Sequence, residues 1–112
     1  MTMSFSEASN PWRKIYDRIG KAAALEQLAE ECDELGHAAL KLARIVRGEN
    51  PARMTYDEAF AKMIRETADV LNALDVLDEG FSRGIYEAAV PHKPDKMKRW
   101  YDSLFGKENK DA

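Results

Sequence analysis

The stretch Leu25-Glu-Gln-Leu-Ala-Glu-Glu-Cys-Asp-Glu-Leu-Gly-His-Ala-Ala-Leu-Lys-Leu-Ala-Arg-Ile-Val46 decides the fold. Its apolar positions Leu25, Leu28, Cys32, Leu35, Ala39, Leu42 and Val46 recur at alternating steps of three and four. With about 3.6 residues per turn, such steps return to one side of a helix. They predict a long helix with a lengthwise seam that packs on a second helix. No proline interrupts Ala22 to Arg47, and Gly48 with Glu49-Asn50-Pro51 marks the stop. Upstream, Asn10-Pro11 is a helix-start pair, so a short helix is expected from Pro11 to Ile19, ended by Gly20. Downstream, Thr55 and Glu58 form a capping-box pattern that opens a second long helix running to Glu79, with Gly80 as its stop. Gly84, Pro91 and Pro94 allow only short helical pieces after Phe81. A last helix is expected from Asp95 to Leu104, stopped by Gly106, with a frayed polar tail over 107–112. Nothing alternates with a period of two, so the expected class is all-α, in one domain spanning 1–112.

Composition narrows the function classes. The chain has 112 residues, 45% of them hydrophobic and 33% charged, which suits long helices with solvated faces. A formal net charge of -3 argues against a general binder of nucleic acid. One cysteine excludes an internal disulfide framework and a cysteine-rich zinc site. Glu34-Leu-Gly-His37 is a single Glu-x-x-His pair and His92 follows Ala89 by three, so the chain carries one such pair where a di-iron helical bundle uses two, which argues against that class. No apolar run approaches the ~20 residues that span a bilayer, and the first residues lack the pattern of a signal peptide. A cytoplasmic protein without a membrane partner is expected.

The second long helix is apolar around much of its circumference. Phe60, Ile64, Thr67, Leu71 and Leu74 form one stripe, Ala59, Met63, Val70 and Leu77 widen it, and Ala73 and Val76 extend it to a second side. One hairpin does not supply enough partner surface for such a helix, so a homodimer or dimer of dimers is expected. Glu66 and Asp69 lie beside Ala73 and Val76, and on the first long helix Glu31 sits at the edge of the seam. Residues three apart are neighbours on a helix. The two patterns, Glu30-Glu31-Cys32-Asp33-Glu34 and Glu66-Thr67-Ala68-Asp69, can therefore each point two carboxylates at one place. If the helices pack antiparallel, Glu31, Glu34, Glu66 and Asp69 converge. Four such charges repel unless a cation sits among them, and all-oxygen ligands suit Mg²⁺, with Mn²⁺ possible. Mg²⁺ is commonly shared with substrate phosphates, which points to a phosphate ester or anhydride. A solvated acidic face is the plainer alternative for either pattern alone.

Gln27-Leu-Ala-Glu-Glu-Cys-Asp-Glu-Leu35 followed by Ile64-Arg-Glu-Thr-Ala-Asp-Val-Leu71 resembles the MazG-like group of all-α nucleoside triphosphate pyrophosphohydrolases. The resemblance covers residues 25–78. It implies an antiparallel helical bundle, a four-helix core completed by dimerisation. It also implies a Mg²⁺-dependent hydrolase that cleaves a (deoxy)nucleoside triphosphate between the α and β phosphates, giving monophosphate and pyrophosphate. By position, Glu31, Glu34, Glu66 and Asp69 would be metal ligands, and Glu30 would act on the attacking water or hold a structural salt bridge. The segment between the two motifs is longer than the family pattern, with the extra length in 47–57.

Substrate-side candidates rest on charge and shape. Lys41 lies two turns past Glu34 on nearly the same face, and Lys93, Lys96 and Arg99 belong to the densest basic cluster. Both suit phosphates, or else plain solvated faces. Asn72 is one turn beyond Asp69 and could contact sugar, while Trp12 could stack on a base or pack in an interface. Two other functions compete: the phosphoribosyl-ATP pyrophosphohydrolase branch of the same superfamily, and a non-catalytic helical dimer or adaptor.

Overall fold

A computed structural model describes residues 9–49 and 53–110, with backbone alone for 107–110. Among these residues the chain is all-helical, with no strand. Four helices follow one another: α1 (Pro11–Val46), α2 (Tyr56–Asp78), α3 (Ile85–Ala89) and α4 (Lys93–Lys110). A single 3₁₀ turn, Val90–His92, joins the last two. The chain divides into two compact units, one ending at Gly80 and one beginning at Phe81. No helix among the described residues is long and apolar enough to cross a membrane.

The first unit is a hairpin of α1 and α2. Asn10 caps α1 by accepting from the Arg13 amide at 3.0 Å, with Pro11 in the first helical position. Gly20 then adopts φ 87°, ψ 169°, a conformation closed to most L residues, and breaks α1 into a short arm and a long rod. The break falls where the sequence places it. The arm is tied to the far end of α2: the Asn10 side-chain amide donates to Glu79 Oε1 at 3.0 Å and Arg13 Nη1 donates to the Glu79 carbonyl at 3.0 Å. Tyr16 packs so closely on Gly80 that a Cβ there would overlap its hydroxyl and the adjoining ring edge. At the other end, Thr55 and Glu58 form the full reciprocal capping box, each side chain accepting from the other's amide at 3.2 Å.

The buried seam differs from the one expected. On α1 the residues facing α2 are Ala24, Leu28, Glu31, Leu35, Ala38, Leu42 and Ile45, all buried or half-buried. Leu28, Leu35 and Leu42 were expected there, but Leu25, Cys32, Ala39 and Val46 are exposed, Val46 at 68%. Two heptad stripes share the same three leucines, and α2 packs against the one that carries Glu31. On α2 the facing residues are Ala59, Met63, Glu66, Val70, Ala73 and Leu77, while Phe60, Ile64 and Leu71 are exposed. The fully buried set is thin: Ala24, Ala38, Ala59, Ala73, Val76 and Leu77. Alanines let the helices approach closely but bury little apolar area each.

In the second unit, α3 and the 3₁₀ turn are the short helical pieces that Gly84 and the prolines permit. α4 begins at Lys93 and runs through Gly106 to Lys110, so that glycine does not stop it. A lone helical glycine costs only about 1 kcal/mol relative to alanine and does not by itself end a helix. The side chains of the tail expected to fray, 107–112, lie outside the described residues.

Candidate functional site

The antiparallel register sets Glu31 and Glu34 of α1 across from Glu66 of α2. One carboxylate oxygen of each lies within 4.8 Å of the other two. Glu31 and Glu66 are half-buried because both sit in the seam, and Glu34 is exposed at its edge. The Glu66 side chain retains 13% of its exposure. The sequence therefore spends two positions of a heptad contact stripe on carboxylates, where apolar residues would otherwise bury area.

Most of these acids are poorly compensated. Gln27 Nε2 donates to Glu31 Oε1 at 2.7 Å, one helical turn away. Lys62 Nζ lies 4.0 Å from Glu66 Oε1, the limit of an ion pair. The second oxygens, Glu31 Oε2 and Glu66 Oε2, are buried without a hydrogen-bond partner. Burial pushes the Glu66 carboxyl above its ordinary value, aided by its hydrogen bond with Glu34 and by the charges of Glu34 and Asp69, against a small opposing pull from Lys62. Burial and neighbouring like charges both disfavour the ionised form of a carboxyl.

Asp69 stands one turn from Glu66 and lines, with Glu31, a neighbouring recess of about 240 Å³. Asn72 lines the same recess, as do Ile15 and Ile19 from the α1 arm, Gln27 and Val76. Both isoleucines precede the break at Gly20. Glu34, His37, Lys62 and Glu66 line a second, more polar recess on the same side of the hairpin. Lys41 is half-buried one turn beyond His37. Glu30 is exposed and points away from the seam, so the chain alone does not bring it into the cluster. Trp12 lines a shallow recess with Asp75, Asp78 and Glu79 at the hairpin's open end, apart from the acid cluster.

Lys93, Lys96 and Arg99 lie on α4 and are exposed. Arg99 Nε is 3.7 Å from Asp95, and Lys93 and Lys96 flank an apolar recess with Met97 and Trp100. These three belong to the second unit, and the acids belong to the first.

Sequence reading missed Gln27, Lys62, Ile15 and Ile19. Gln27 precedes Glu31 by four, the spacing at which helical side chains pair, and Lys62 precedes Glu66 by the same interval. Those signals were legible. The isoleucines carried none, because their position depends on the angle between the arm and the rod, which local sequence does not specify. No protein-family model, curated protein or solved structure matches the chain.

Proposed function

We propose that the chain is a Mg²⁺-dependent nucleotide pyrophosphohydrolase that cleaves a (deoxy)nucleoside triphosphate between its α and β phosphates. One observation carries the reading: two buried carboxylate oxygens on opposite helices, Glu31 Oε2 and Glu66 Oε2, have no partner and sit with Glu34 in one cluster. A buried charge without a partner is costly, and a hard divalent cation satisfies all-oxygen donors of this kind. Glu31, Glu34 and Glu66 would hold it, with Asp69 beside them. Bound there, Mg²⁺ would lower the pKa of water and neutralise charge on a departing pyrophosphate. The chain's own groups do the rest. Gln27 fixes the rotamer of Glu31 through its hydrogen bond. The recess floored by Ala24, Ala73 and Val76, with the Gln27 and Asn72 amides at its rim, offers a place for the uncharged part of a nucleotide. Lys41 and Lys62 supply positive charge on the same side. Lys93, Lys96 and Arg99 are further phosphate candidates, Trp12 a base-stacking one, and Glu30 acts on the water only if a partner subunit brings substrate to it. The enzyme works as a homodimer or a dimer of dimers, in a four-helix core, because one hairpin buries too little.

The test is incubation with a panel of nucleoside triphosphates and phosphoribosyl-ATP in Mg²⁺, with pyrophosphate and orthophosphate detected separately. Pyrophosphate with monophosphate is the expected result. Orthophosphate alone would sink the α–β assignment, and turnover of phosphoribosyl-ATP alone would move the chain to that branch. Mg²⁺ binding without turnover of any substrate would favour a non-catalytic helical dimer.

A further inference from the structure

Each seam residue of α1 is followed by a small or apolar one. Leu25, Ala29, Cys32, Gly36, Ala39, Ala43 and Val46 come one position after Ala24, Leu28, Glu31, Leu35, Ala38, Leu42 and Ile45. One position on a helix is a rotation of about 100°. The second stripe therefore runs down the flank of the rod, free of charge, and its middle is all small side chains. Gly36 stands at its centre, exposed, and a Cβ there would meet nothing in this chain. A helical glycine costs about 1 kcal/mol against alanine, and nothing within the hairpin requires this one.

The same step on α2 leads from Ala59, Met63, Glu66, Val70 and Ala73 to Phe60, Ile64, Thr67, Leu71 and Leu74. This flank is bulky: Ile64 is 50% exposed and Leu71 56%, and Tyr56 stacks on Phe60 at a ring separation of 6.1 Å. Because the helices are antiparallel, the same rotation on each brings both flanks to one broad face of the hairpin. The acids occupy the opposite face, since Glu34, His37, Lys62 and Glu66 line one recess there. One face thus consists of a shallow trough of small residues on α1 beside a ridge of large ones on α2.

The trough and the ridge fit each other across two copies. The hydrogen bond between Glu34 and Glu66 sets those two level, and His37 and Lys62 line the same recess one turn along the antiparallel pair. Counting from these pairs, Gly36 lies level with Ile64, Ala29 with Leu71, Cys32 with Thr67, and Ala39 with Phe60. A two-fold axis parallel to the helices keeps every level and sets α2 of each copy over α1 of the other. Large then meets small three times, Ile64 on Gly36, Leu71 on Ala29 and Phe60 on Ala39, with Thr67 on Cys32 between them, and the contact repeats by symmetry. An axis across the helices would set ridge on ridge and trough on trough. The six large side chains Leu25, Val46, Tyr56, Phe60, Ile64 and Leu71, each roughly half exposed, leave on the order of 100 Å² apiece. One copy so offers about 600 Å² before its small residues are counted, most of the ~800 Å² per partner of a specific interface.

We infer that this face is the contact with a second copy of the chain, with the Phe60–Leu71 ridge of one copy seated in the Ala29–Ala43 trough of the other about an axis along the bundle. The inference deepens the dimer part of the proposed function and is independent of the hydrolase part. The glycine is then explained: it lets Ile64 of the partner approach the rod.

The test uses the full chain. Sedimentation velocity at micromolar concentration should show a dimer for the parent protein. Gly36→Leu should raise the dimer dissociation constant by roughly 100-fold, since overpacking a filled trough costs a few kcal/mol. The same change favours the isolated helix, so circular dichroism and melting will separate lost assembly from lost fold. Thr67→Cys should yield a covalent dimer on mild oxidation, through Cys32 of the other copy, and Thr67→Cys with Cys32→Ser should not. Three results overturn the inference. A stable parent monomer would mean that another part of the same chain covers the face. A dimer indifferent to Gly36→Leu, or one that Thr67→Cys fails to link, would place the interface elsewhere. Efficient Cys32–Cys32 linkage in the parent would show trough on trough. None of these outcomes bears on whether triphosphates are hydrolysed.

Discussion

The hairpin's two broad faces use the same two helices for opposite purposes. One face gathers Glu34, Asp69 and the rims of Glu31 and Glu66, with Lys62 as a marginal counter-charge. The other carries no charge on α1 from Leu25 to Val46. They lie on opposite sides of the shared seam, the apolar one a single step of sequence past it, about 100° of rotation. The acidic face is electrostatically strained and the apolar face is incompletely buried. On the proposed reading each is completed from outside the chain, by a cation in one case and by a second copy in the other. The two helices meet through a thin, alanine-rich seam. Most of the bulky and charged side chains remain on the flanks.

Neutralising the acidic face alone should have the largest effect. Glu34→Gln and Asp69→Asn should each lower Mg²⁺-dependent pyrophosphate release by more than about 100-fold, the scale at which loss of one charge-stabilising group acts. Helix content and oligomeric state should stay as in the parent. Near-normal activity in both variants would remove the metal site from the proposal.

The next effect is thermal. Mg²⁺ or Mn²⁺ at about 100 times its dissociation constant adds roughly 2.7 kcal/mol, a rise in Tm on the order of 10 °C for a domain of this size. K⁺ at matched ionic strength should not reproduce it. Superimposable melting curves in EDTA and in millimolar Mg²⁺ at pH 8 would contradict the cation reading.

A smaller shift concerns pH. The Glu66 carboxyl is raised from 4.5 by burial, its hydrogen bond with Glu34 and the charges of Glu34 and Asp69. The folded state therefore holds its proton more tightly than the unfolded chain. That contribution to stability is complete below pH 4.5 and is lost as pH rises through the raised value. Metal-free protein should weaken over that window. Glu66→Gln should flatten the dependence and, at pH 8 without metal, melt above the parent while losing most of the response to Mg²⁺. A parent whose metal-free stability climbs through the same window would refute the strained cluster.

The smallest effects test the frame that holds both faces level. Gly80→Ala would force the Tyr16 ring off the end of α2 and should cost about 1–3 kcal/mol, the range of local overpacking. Thr55→Ala removes one half of the capping box and should cost about 1 kcal/mol. Urea unfolding measures both. If Gly80→Ala proves neutral, the α1 arm contributes no rigidity to the recess under Ile15 and Ile19.

Local signals fixed much of the architecture before any tertiary contact was known. Asn10-Pro11, Gly20, Gly48 and Thr55-x-x-Glu58 each act within one turn of chain, through a capping hydrogen bond or a backbone angle, so element boundaries up to Gly80 follow from sequence. The pairing of Glu31 and Glu34 with Glu66 follows as well, because three-residue spacing and an antiparallel hairpin leave few other arrangements. Gly106 shows the limit of such signals, since a mid-helix glycine lowers helix stability without deciding where the helix ends. Which α1 stripe would be buried was not decided locally. Ala24/Glu31/Ala38/Ile45 and Leu25/Cys32/Ala39/Val46 share the same leucines and the same period, and the second is the more hydrophobic. Packing chose the first, placing small alanines of α1 against alanines of α2 and leaving the ridge and the trough outside. That choice compares whole faces of two helices, which no window along one helix contains, and it carried Glu31 from the edge of the seam to its centre.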